Sequence, residues 1–443
     1  MSSKFPIGVA TIKIPLSVLS IIPLFIIISS CTPVHLSKQD KQLINKDVEI
    51  KEDTISINKD GLYKKKDNIT ETKIEKNNNA LPLIKEITLL LHSKNKENIS
   101  NQFINVLELA IYNKSLEDIF FEIKYFDNET ELKKIINTSK KEGKIFIGPI
   151  ESGYTKVVKE FCKNQMIFFS FSSDTSLAGE CIFLLNFFPK NELEQLLNSL
   201  PKESKIAVLY PENNYGYMIN VLIDDAVNKS DSILVNRASY KNDLSNVRDS
   251  IKELGKYELR KYELNRQKQL LLIKNDDQSR KRLKKLEKFK TTSDYDFTHI
   301  LIADYGLNLL QVAPLLPYYD IDPNVVQFIA TGVIDDEVFF LEPSLQGAIF
   351  PGIEKYKRID LLNQYREIYE ENLLRISTLP YDLVGLLNYI YSKQLDYNQF
   401  LDLLNNSTVK FDGVDGEFYF KDNMIERKLD ILKILNGNAK KIN

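Results

Sequence analysis

The chain has 443 residues, of which 43% are hydrophobic and 27% are charged. A chain of this length exceeds what one simple core holds, so we expect two domains or one domain with extensions. The formal charge of −2 excludes a strongly basic protein of the kind that binds nucleic acid over its whole surface. Any basic surface must therefore be local.

The N-terminus has the order of charged, apolar and small residues that is typical of an export signal. The apolar run at 14–28 leads into the tetrad ISSC at 28–31. This tetrad resembles a bacterial lipobox, which implies that residues 1–30 are a lipoprotein signal peptide and that the thiol of Cys31 carries a diacylglycerol. The alternative is an uncleaved anchor, but about fifteen apolar residues are short for a helix that spans a membrane.

Residues 31–80 are polar, charged and rich in Asn, with no sustained hydrophobic period. Such a segment buries too little apolar surface to offset its ordering entropy, so we predict a flexible stalk. Thr32 follows the lipidated cysteine and resembles the outer-membrane sorting signal of bacteria that use the Asp rule. We therefore expect a lipid-anchored protein on the periplasmic face of a bacterial membrane, and on the outer membrane rather than the inner one.

Strand and helix signals alternate over residues 81–435. In the first lobe, residues 84–200, short apolar runs predict the strands EITLLLHS, FFEIKYFD, KIFIGPI and MIFFSFSS. In the second lobe, residues 201–340, they predict SKIAVLYP, SILVNRASY, FTHILIADYG and VVQFIATG. Helical stripes separate these strands, so the sequence predicts an α/β fold with two doubly wound parallel-sheet lobes. Residues 341–435 are expected to return across both lobes, and residues 436–443 to form a tail.

Two cysteines remain besides Cys31. Cys162 and Cys181 are an even count in an exported chain, where a disulfide persists. However, Cys162 lies on a helical pattern and Cys181 precedes an apolar run, so two separately buried thiols fit the sequence equally well. A disulfide between Cys162 and Cys181 therefore stays one of two alternatives.

A charged segment interrupts the second lobe at residues 256–290, and we call it the charged hairpin. It contains 13 Lys or Arg and 5 Asp or Glu, a net charge of +8. Apolar residues at seven-residue intervals, Tyr257, Leu264 and Leu271, predict two helical arms joined by a polar turn near 275–278. The segment is either a self-packed helical hairpin with solvated faces or a docking arm for an anionic partner.

The order and spacing of the strand-end segments carry a family resemblance. The series KEITLLLHS, IFIGPIESG, MIFFSFSSDTS, KIAVLYPENNYG, ILIADYG and FIATGVIDD resembles the type 1 periplasmic-binding fold of leucine-binding proteins, over residues 84–435. The segments QVAPLLPYYDID, EPSLQGAIFPG, LPYDLVGLL and FDGVDGEFYFKDNMIERKLDIL look closer to a narrower branch, the alphaproteobacterial lipoproteins described as penicillin-binding-protein activators. Charged helical insertions also occur in that branch.

The resemblance implies a ligand cleft between the two lobes. In leucine-binding proteins, hydroxyl and backbone groups of first-lobe loops bind an amino-acid carboxylate, and a Tyr and an acidic residue of the second lobe bind the ammonium. The implied cleft residues of this chain are Ser152, Ser170, Ser172, Ser173, Tyr215, Tyr305 and Thr331.

The acidic position of that family is missing from this chain. Thr331 and Gly332 stand where leucine-binding proteins carry a carboxylate. A buried ammonium without a charge partner costs several kcal/mol, so we do not expect tight capture of a free amino acid. Asp304 and Asp335 are the alternatives that the sequence leaves open for this role.

The sequence offers little support for catalysis. It contains no GxSxG elbow, no P-loop, no HExxH motif and no Cys/His metal spacing. We therefore predict a protein that is not an enzyme and that uses no cofactor and no metal. The Gly-Asp pattern of FDGVDGEFYF predicts a hairpin turn, because it lacks the ligand register of a calcium loop.

The resemblance implies one of two functions. As a penicillin-binding-protein activator, the chain would be a non-catalytic partner of a peptidoglycan synthase or of another envelope protein. As a leucine-binding protein, it would capture an amino acid or another small molecule for an ABC transporter. The missing carboxylate and the charged hairpin favour the first function, and the Ser and Tyr residues of the implied cleft favour the second.

Overall fold

Two β-sheets organise the part of the chain that the structure describes. The structure is a computed structural model, and it describes residues 83–95, 99–114, 116, 119–274 and 276–442 together with a two-residue strand, Thr54–Ile55. The predicted signal peptide, the lipidation site Cys31 and the predicted stalk apart from Thr54–Ile55 lie outside these residues.

The first sheet has nine strands and forms the centre of lobe 1. Its strands, in spatial order, are Thr54–Ile55, Lys410–Gly413, Gly416–Lys421, Met424–Arg427, Ile182–Leu184, Ile167–Ser170, Ile145–Ile147, Glu86–His92 and Phe120–Phe126. The last five pair in parallel, as the alternation of strand and helix signals predicts. The C-terminal segment adds an antiparallel meander beside them, and FDGVDGEFYF makes the predicted hairpin turn.

The second sheet has seven strands and forms the centre of lobe 2. Its strands, in spatial order, are Asn438–Lys441, Asp430–Leu435, Ile349–Gly352, Gln327–Ile329, His299–Ile302, Lys205–Pro211 and Ile233–Tyr240. The last five pair in parallel, and the two C-terminal strands add to them in antiparallel pairs.

Helices pack on both sheets. The helices of lobe 1 are Ile99–Asn113, Glu129–Thr138, Ser152–Val158, Ile359–Tyr369, Leu379–Ser392 and Tyr397–Asn405. Those of lobe 2 are Pro189–Ser199, Asn214–Asn228, Val247–Leu254, Gly306–Val312, Leu315–Tyr318 and Glu337–Phe340, besides the charged hairpin. Strands such as Ile145–Ile147 are buried at every position, because both faces of the sheet are covered. The predicted fold class is confirmed.

The chain passes between the lobes at points that also position charged side chains. It enters lobe 2 through helix Pro189–Ser199, leaves it after strand Ile349–Gly352, and returns between strands Met424–Arg427 and Asp430–Leu435. Residues that follow these strands therefore lie where the two lobes meet.

The charged hairpin forms two packed helices, in agreement with the sequence pattern. They span Tyr257–Lys274 and Asp277–Leu286. The side chain of Asp276 accepts a hydrogen bond from the backbone N–H of Ser279 at 2.8 Å and thereby caps the second helix. The two predicted helical arms are confirmed, and both alternatives for their role stay predictions.

The predicted tail at 436–443 is wrong for the residues that the structure describes. Asn436 and Gly437 both have positive φ, 52° and 75°, and form a tight turn. Strand Asn438–Lys441 after this turn pairs with Asp430–Leu435 and lies at the edge of the second sheet. The strand is short and charged, which is typical of a protected sheet edge. It therefore lacks the apolar run that would predict a strand from the sequence.

Cys162 and Cys181 form a disulfide in the structure, with their Cα atoms 5.1 Å apart. Cys162 lies in the 3₁₀ segment Lys159–Asn164, and Cys181 lies directly before strand Ile182–Leu184. Of the two alternatives, the structure therefore shows the disulfide. It links the 3₁₀ segment Lys159–Asn164 to the start of strand Ile182–Leu184 in lobe 1.

Arg260 fastens the charged hairpin to lobe 2. Its side chain is 3% exposed, and it donates to the carbonyl oxygen of Gly255 at 2.6 Å, to Thr291 Oγ1 at 2.7 Å and to the carbonyl oxygen of Thr292 at 2.7 Å. The guanidinium also lies 4.5 Å from the ring centre of Tyr295. Both ends of the hairpin are therefore held by one side chain.

We expect Arg260→Leu to lower the free energy of unfolding by about 2–4 kcal/mol, because it leaves buried carbonyl groups without donors. Urea denaturation followed by circular dichroism measures this change. Arg266→Leu is the matched control, since Arg266 is exposed on the same helix and its loss should cost within about 0.5 kcal/mol. Equal costs for the two variants would contradict the anchoring role of Arg260.

Candidate functional site

Three of the four serine hydroxyls predicted for the lobe 1 side of the cleft form hydrogen bonds within lobe 1. Ser152 Oγ and Ser172 Oγ are 2.7 Å apart. Ser170 is fully buried, and its Oγ donates to the carbonyl oxygen of Pro149 at 2.9 Å and lies 2.7 Å from Thr155 Oγ1. These three serines therefore fix the loops at the strand ends.

Ser173 is exposed, unlike its neighbours Ser170 and Ser172. It follows strand Ile167–Ser170 at the same sheet edge. Of the four predicted serines, it has the hydroxyl that is open to solvent.

The lobe 2 candidates form a second cluster. Tyr215 OH and Thr331 Oγ1 are 2.6 Å apart, and the ring of Tyr305 packs edge-on against that of Tyr215 with centroids 5.1 Å apart. Burial raises the pKa of Tyr215, so its hydroxyl stays protonated. Tyr305 is 50% exposed. The structure brings Tyr215, Tyr305 and Thr331 together, but no hydrogen bond within its described residues joins them to the lobe 1 serines.

Neither Asp304 nor Asp335 is available for an ammonium group. The Asp304 carboxylate accepts hydrogen bonds from Tyr240 OH at 2.5 Å and from the backbone N–H of Tyr305 at 2.8 Å. Burial raises the pKa of Asp304. Asp335 forms an ion pair with Arg358, with Oδ2 and Nη2 2.5 Å apart. Both alternatives that the sequence left open are therefore used inside the protein.

A carboxylate does reach the strand end at Thr331, but a cation neutralises it. Glu192 Oε2 accepts from the backbone N–H of Gly332 at 2.9 Å. Arg375 donates to Glu192 Oε1 at 3.1 Å and to the carbonyl oxygen of Gly332 at 2.6 Å, and its guanidinium lies 3.9 Å from the ring centre of Phe187. A Cβ atom at Gly332 would lie 2.3 Å from Arg375 Nη1 and 2.5 Å from Glu192 Oε1, so both side-chain ends would have to shift to admit a side chain there.

Arg358 connects the two lobes through buried charges. Asp335 follows a strand of the second sheet, whereas Asp415 lies in the hairpin turn of the first sheet. Arg358 Nη1 is 3.3 Å from Asp415 Oδ1, besides its contact with Asp335. All three side chains are less than 10% exposed, and Thr378 also donates to Asp415. The arrangement is a buried ion triad across the lobe boundary.

Arg427 extends the charged network into lobe 1. It donates to Asp382 Oδ2 at 2.9 Å and to the carbonyl oxygen of Asp415 at 3.3 Å. Complete burial raises the pKa of Asp382 to about 6 even though Arg427 lies beside it. Three ion pairs, Arg358 with Asp335, Arg358 with Asp415 and Arg427 with Asp382, are therefore joined through the turn at Asp415 into one connected group.

A cavity of about 150 Å³ lies beside this network. Its walls come from residues after the strands of lobe 2, among them Asp335, Ile353 and Arg358, and from the segment before helix Leu379–Ser392, including Leu373 and Arg375. None of the predicted cleft residues lines it. The cavity is therefore a second candidate position for a ligand.

The ion pairs of this network were not predicted from the sequence. Glu192 and Arg375 are 183 positions apart, and Arg358 and Asp415 are 57 apart. Asp415 lies in the FDGVDGEFYF turn, which indicated a hairpin and gave no sign of an ion pair. No pattern in the sequence distinguishes these buried charges from solvated ones.

Comparisons with known proteins agree with this architecture. A search with family models and a search of curated proteins both find no match to the sequence. Among solved structures, a protein named as a branched-chain amino acid ABC transporter from Rhodospirillum rubrum is 12% identical, with a TM-score of 0.61 over 82% of this chain and 100% of that one. The chain has the type 1 periplasmic-binding fold.

Two further structures share the type 1 periplasmic-binding fold. LivJ from Streptococcus pneumoniae, a branched-chain amino acid transporter substrate-binding protein in complex with isoleucine, is 16% identical, with a TM-score of 0.52 over 80% of this chain and 97% of that one. Full-length LpoA from Haemophilus influenzae is 15% identical, with a TM-score of 0.55 over 82% of this chain and 60% of that one. These likenesses establish the fold.

Within residues 83–442, apart from the short gaps named above, no helix has the length and apolarity to cross a membrane. Across the same described residues, no group of three or more His, Cys, Asp or Glu side chains is arranged to hold a metal ion.

We expect Arg358→Met to lower the free energy of unfolding by about 3–5 kcal/mol, because it leaves two buried carboxylates without their cation. Urea denaturation measures this loss. Arg237→Met is the matched control: Arg237 forms an exposed ion pair with Asp224 at 2.6 Å, and such a pair contributes about 1 kcal/mol or less. A cost for Arg358→Met no larger than that of the control would refute the role of the triad.

The raised pKa of Asp304 predicts a dependence of stability on pH. The folded protein holds this proton more tightly than the unfolded chain, so the contribution of Asp304 is fully present below the unfolded pKa and is lost as the pH rises through the folded one. Relative to Asp304→Asn, the unmodified protein should therefore lose stability from about pH 4 upward. Urea denaturation of both proteins across this range is the measurement, and a trend of opposite sign would contradict the assignment.

Proposed function

We propose that this protein is a non-catalytic envelope lipoprotein that binds and activates a peptidoglycan synthase. In this proposal Cys31 carries the lipid, residues 31–80 are the stalk, and the two-lobed domain is the recognition body, held on the periplasmic face of the outer membrane. The partner assignment comes from the resemblance to penicillin-binding-protein activators. The charged hairpin is the observation that carries the proposal.

The charged hairpin combines features of a protein-binding surface. Its net charge of +8 contrasts with −2 for the whole chain, so it attracts an anionic partner. Apolar side chains are exposed among the cations: Tyr262 is 62% exposed, Leu272 60% and Ile273 80%. A self-packed hairpin with purely solvated faces would not need these residues, whereas a docking surface uses apolar contacts together with charge.

The charge arrangement at Thr331 argues against an amino-acid trap. Where leucine-binding proteins carry a free carboxylate for the ammonium group, this chain has Glu192 already paired with Arg375. An ammonium group placed there would meet the guanidinium of Arg375, and like charges at close range cost free energy. We therefore infer recognition of a macromolecule, with the hairpin biasing the partner toward its active conformation.

Solute binding for an ABC transporter is the second candidate. Ser152 and Ser172 supply paired hydroxyls at the lobe 1 edge, and Tyr305 is half exposed at the lobe 2 edge. LivJ, which shares the fold, is bound to isoleucine. A protein of this class would be recovered together with permease subunits.

Affinity capture from bacterial envelope extracts tests the proposal. We expect the full-length protein to recover a peptidoglycan synthase and to raise its rate of glycan polymerisation. Changing Lys281, Arg282, Lys284 and Lys285 to Gln should lower recovery at least about tenfold, because these exposed cations provide the attraction. The matched control changes four exposed lysines elsewhere to Gln, namely Lys140, Lys141, Lys190 and Lys421, and should leave recovery unchanged.

Two results would contradict the proposal. Recovery of permease subunits instead of a synthase would favour solute binding. Equal loss of the synthase in both four-residue variants would show that general charge, and not the charged hairpin, drives capture.

Replacing residues 269–287 by Gly-Ser-Gly keeps Arg260 and the hairpin base, and should reproduce the loss seen with the first variant.

A further inference from the structure

Helix Tyr257–Lys274 of the charged hairpin has apolar side chains on two opposite faces. Its inner face includes Arg260 and Leu264, which are both buried. Each residue turns by about 100° around the helix axis, so residues two positions from Leu264 lie about 200° away from it. Five residues lie within about 80° of one another on that opposite face, and we call them the outer stripe: Leu259, Tyr262, Arg266, Leu270 and Ile273.

The outer stripe is open to solvent along its whole length. Leu259 is 56% exposed, Tyr262 62%, Leu270 50% and Ile273 80%. Single exposed apolar side chains are common in proteins, but four of them on one face of one helix indicate an interaction surface. The inner face already attaches the helix to lobe 2, so the outer stripe is not needed for that attachment.

The spacing of the outer stripe is symmetric about Arg266. Leu259 and Ile273 are each seven positions from Arg266, and Tyr262 and Leu270 are each four positions from it. A second copy of the helix that crosses antiparallel at Arg266 therefore places its Ile273 against Leu259 and its Leu270 against Tyr262. Each contact occurs twice, as in an isologous interface. The spacing fits a second copy of this chain, whereas an unrelated partner imposes no such symmetry.

The charge at the crossing point is balanced. Arg266 forms an ion pair with Glu263 of its own helix, with Nη1 and Oε2 3.3 Å apart. Two copies therefore bring together two guanidinium groups and two carboxylates, and the net charge there is zero.

Most cations of the hairpin lie away from the outer stripe, on helix Asp277–Leu286 and directly after it. Lys268, on the inner face of the first helix, donates to the carbonyl oxygen of Phe289 at 3.2 Å, so this second part of the hairpin lies on the inner side. In an antiparallel pair, two helices then separate the two cationic helices, which are more than two packing distances of about 8–10 Å apart. Salt screens charges beyond about 8 Å, so repulsion between the copies is weak.

We propose that the outer stripe is an interface between two copies of this chain, which cross antiparallel at Arg266. The contact runs from Leu259 to Ile273, about 21 Å along each helix. An interface of one helix from each copy is small, so the dimer is reversible and depends on concentration. The dimer leaves the cations of helix Asp277–Leu286 open to another partner. It goes beyond the proposed function and does not depend on it.

Cysteine cross-linking in intact cells tests this geometry on the full chain. A short bis-maleimide should link Arg266→Cys to itself and give a band at twice the mass of one chain, because position 266 lies on the two-fold axis. Leu259→Cys alone should not link, since its two copies lie about 21 Å apart along the helices. Co-expressed with a differently tagged Ile273→Cys, it should link. The unmodified protein gives the background from the natural cysteines.

Leu272→Cys is the matched control for Ile273→Cys. Leu272 is the preceding residue and is 60% exposed, but it points about 100° away from Ile273 around the helix. Co-expressed with Leu259→Cys, it should give no more than the background yield. Equal yields for the two positions would show random collision of the hairpins and would overturn the proposal.

A second change tests whether the outer stripe itself makes the contact. Adding Tyr262→Asp to Arg266→Cys should lower the yield of linked dimer about fivefold or more, because two carboxylates enter an apolar contact. Tyr217→Asp makes the same change at a tyrosine that is 51% exposed on helix Asn214–Asn228, and it should leave the yield unchanged.

Three further results would overturn the proposal. They are a yield for Arg266→Cys no higher than background, an equal yield with Tyr262→Asp and Tyr217→Asp, and linkage of Arg266→Cys to a different protein in place of a second copy. None of these measurements involves a peptidoglycan synthase, so the dimer and the proposed function can fail separately.

Discussion

Arg358 pairs with two buried carboxylates that belong to different lobes, and the arrangement of the lobes depends on this pairing. Asp335 follows a strand of the second sheet and Asp415 turns between strands of the first, so the guanidinium joins one sheet to the other. Separating the lobes here would leave a buried charge uncompensated, which costs several kcal/mol. The triad lies beside two of the connections through which the chain passes between the lobes, so it holds the lobes together at these crossings.

A further buried ion pair lies at the lobe boundary, at the end of strand Gln327–Ile329. Glu192 reaches the strand end at Gly332, where a carboxylate could have held an ammonium group, but Arg375 neutralises it. Arg375 Nε and Nη2 are buried and have no hydrogen-bond partner among the described residues.

Most of the fold could be predicted because a parallel sheet that is covered on both faces leaves continuous apolar runs in the sequence. The charged hairpin was visible for the opposite reason, since it lacks such a run. The strand Asn438–Lys441 was missed because a short edge strand is polar, and its signal lies in the Asn436-Gly437 turn. The ion triad could not be predicted, because Arg358 and Asp415 are 57 positions apart in the sequence. A buried charged residue also looks the same in a sequence as an exposed one.

The fixed lobes and the charged hairpin favour the same kind of function. Arg260 holds the hairpin base through the carbonyl groups of Gly255 and Thr292, so the arm has a defined direction before any partner binds. Binding loses free energy when mobile groups must be ordered, and a pre-organised arm avoids much of that loss. Arg358 likewise holds Asp335 and Asp415 in place where the two lobes meet. A cationic arm that is fixed in this way suits the partner binding that we propose.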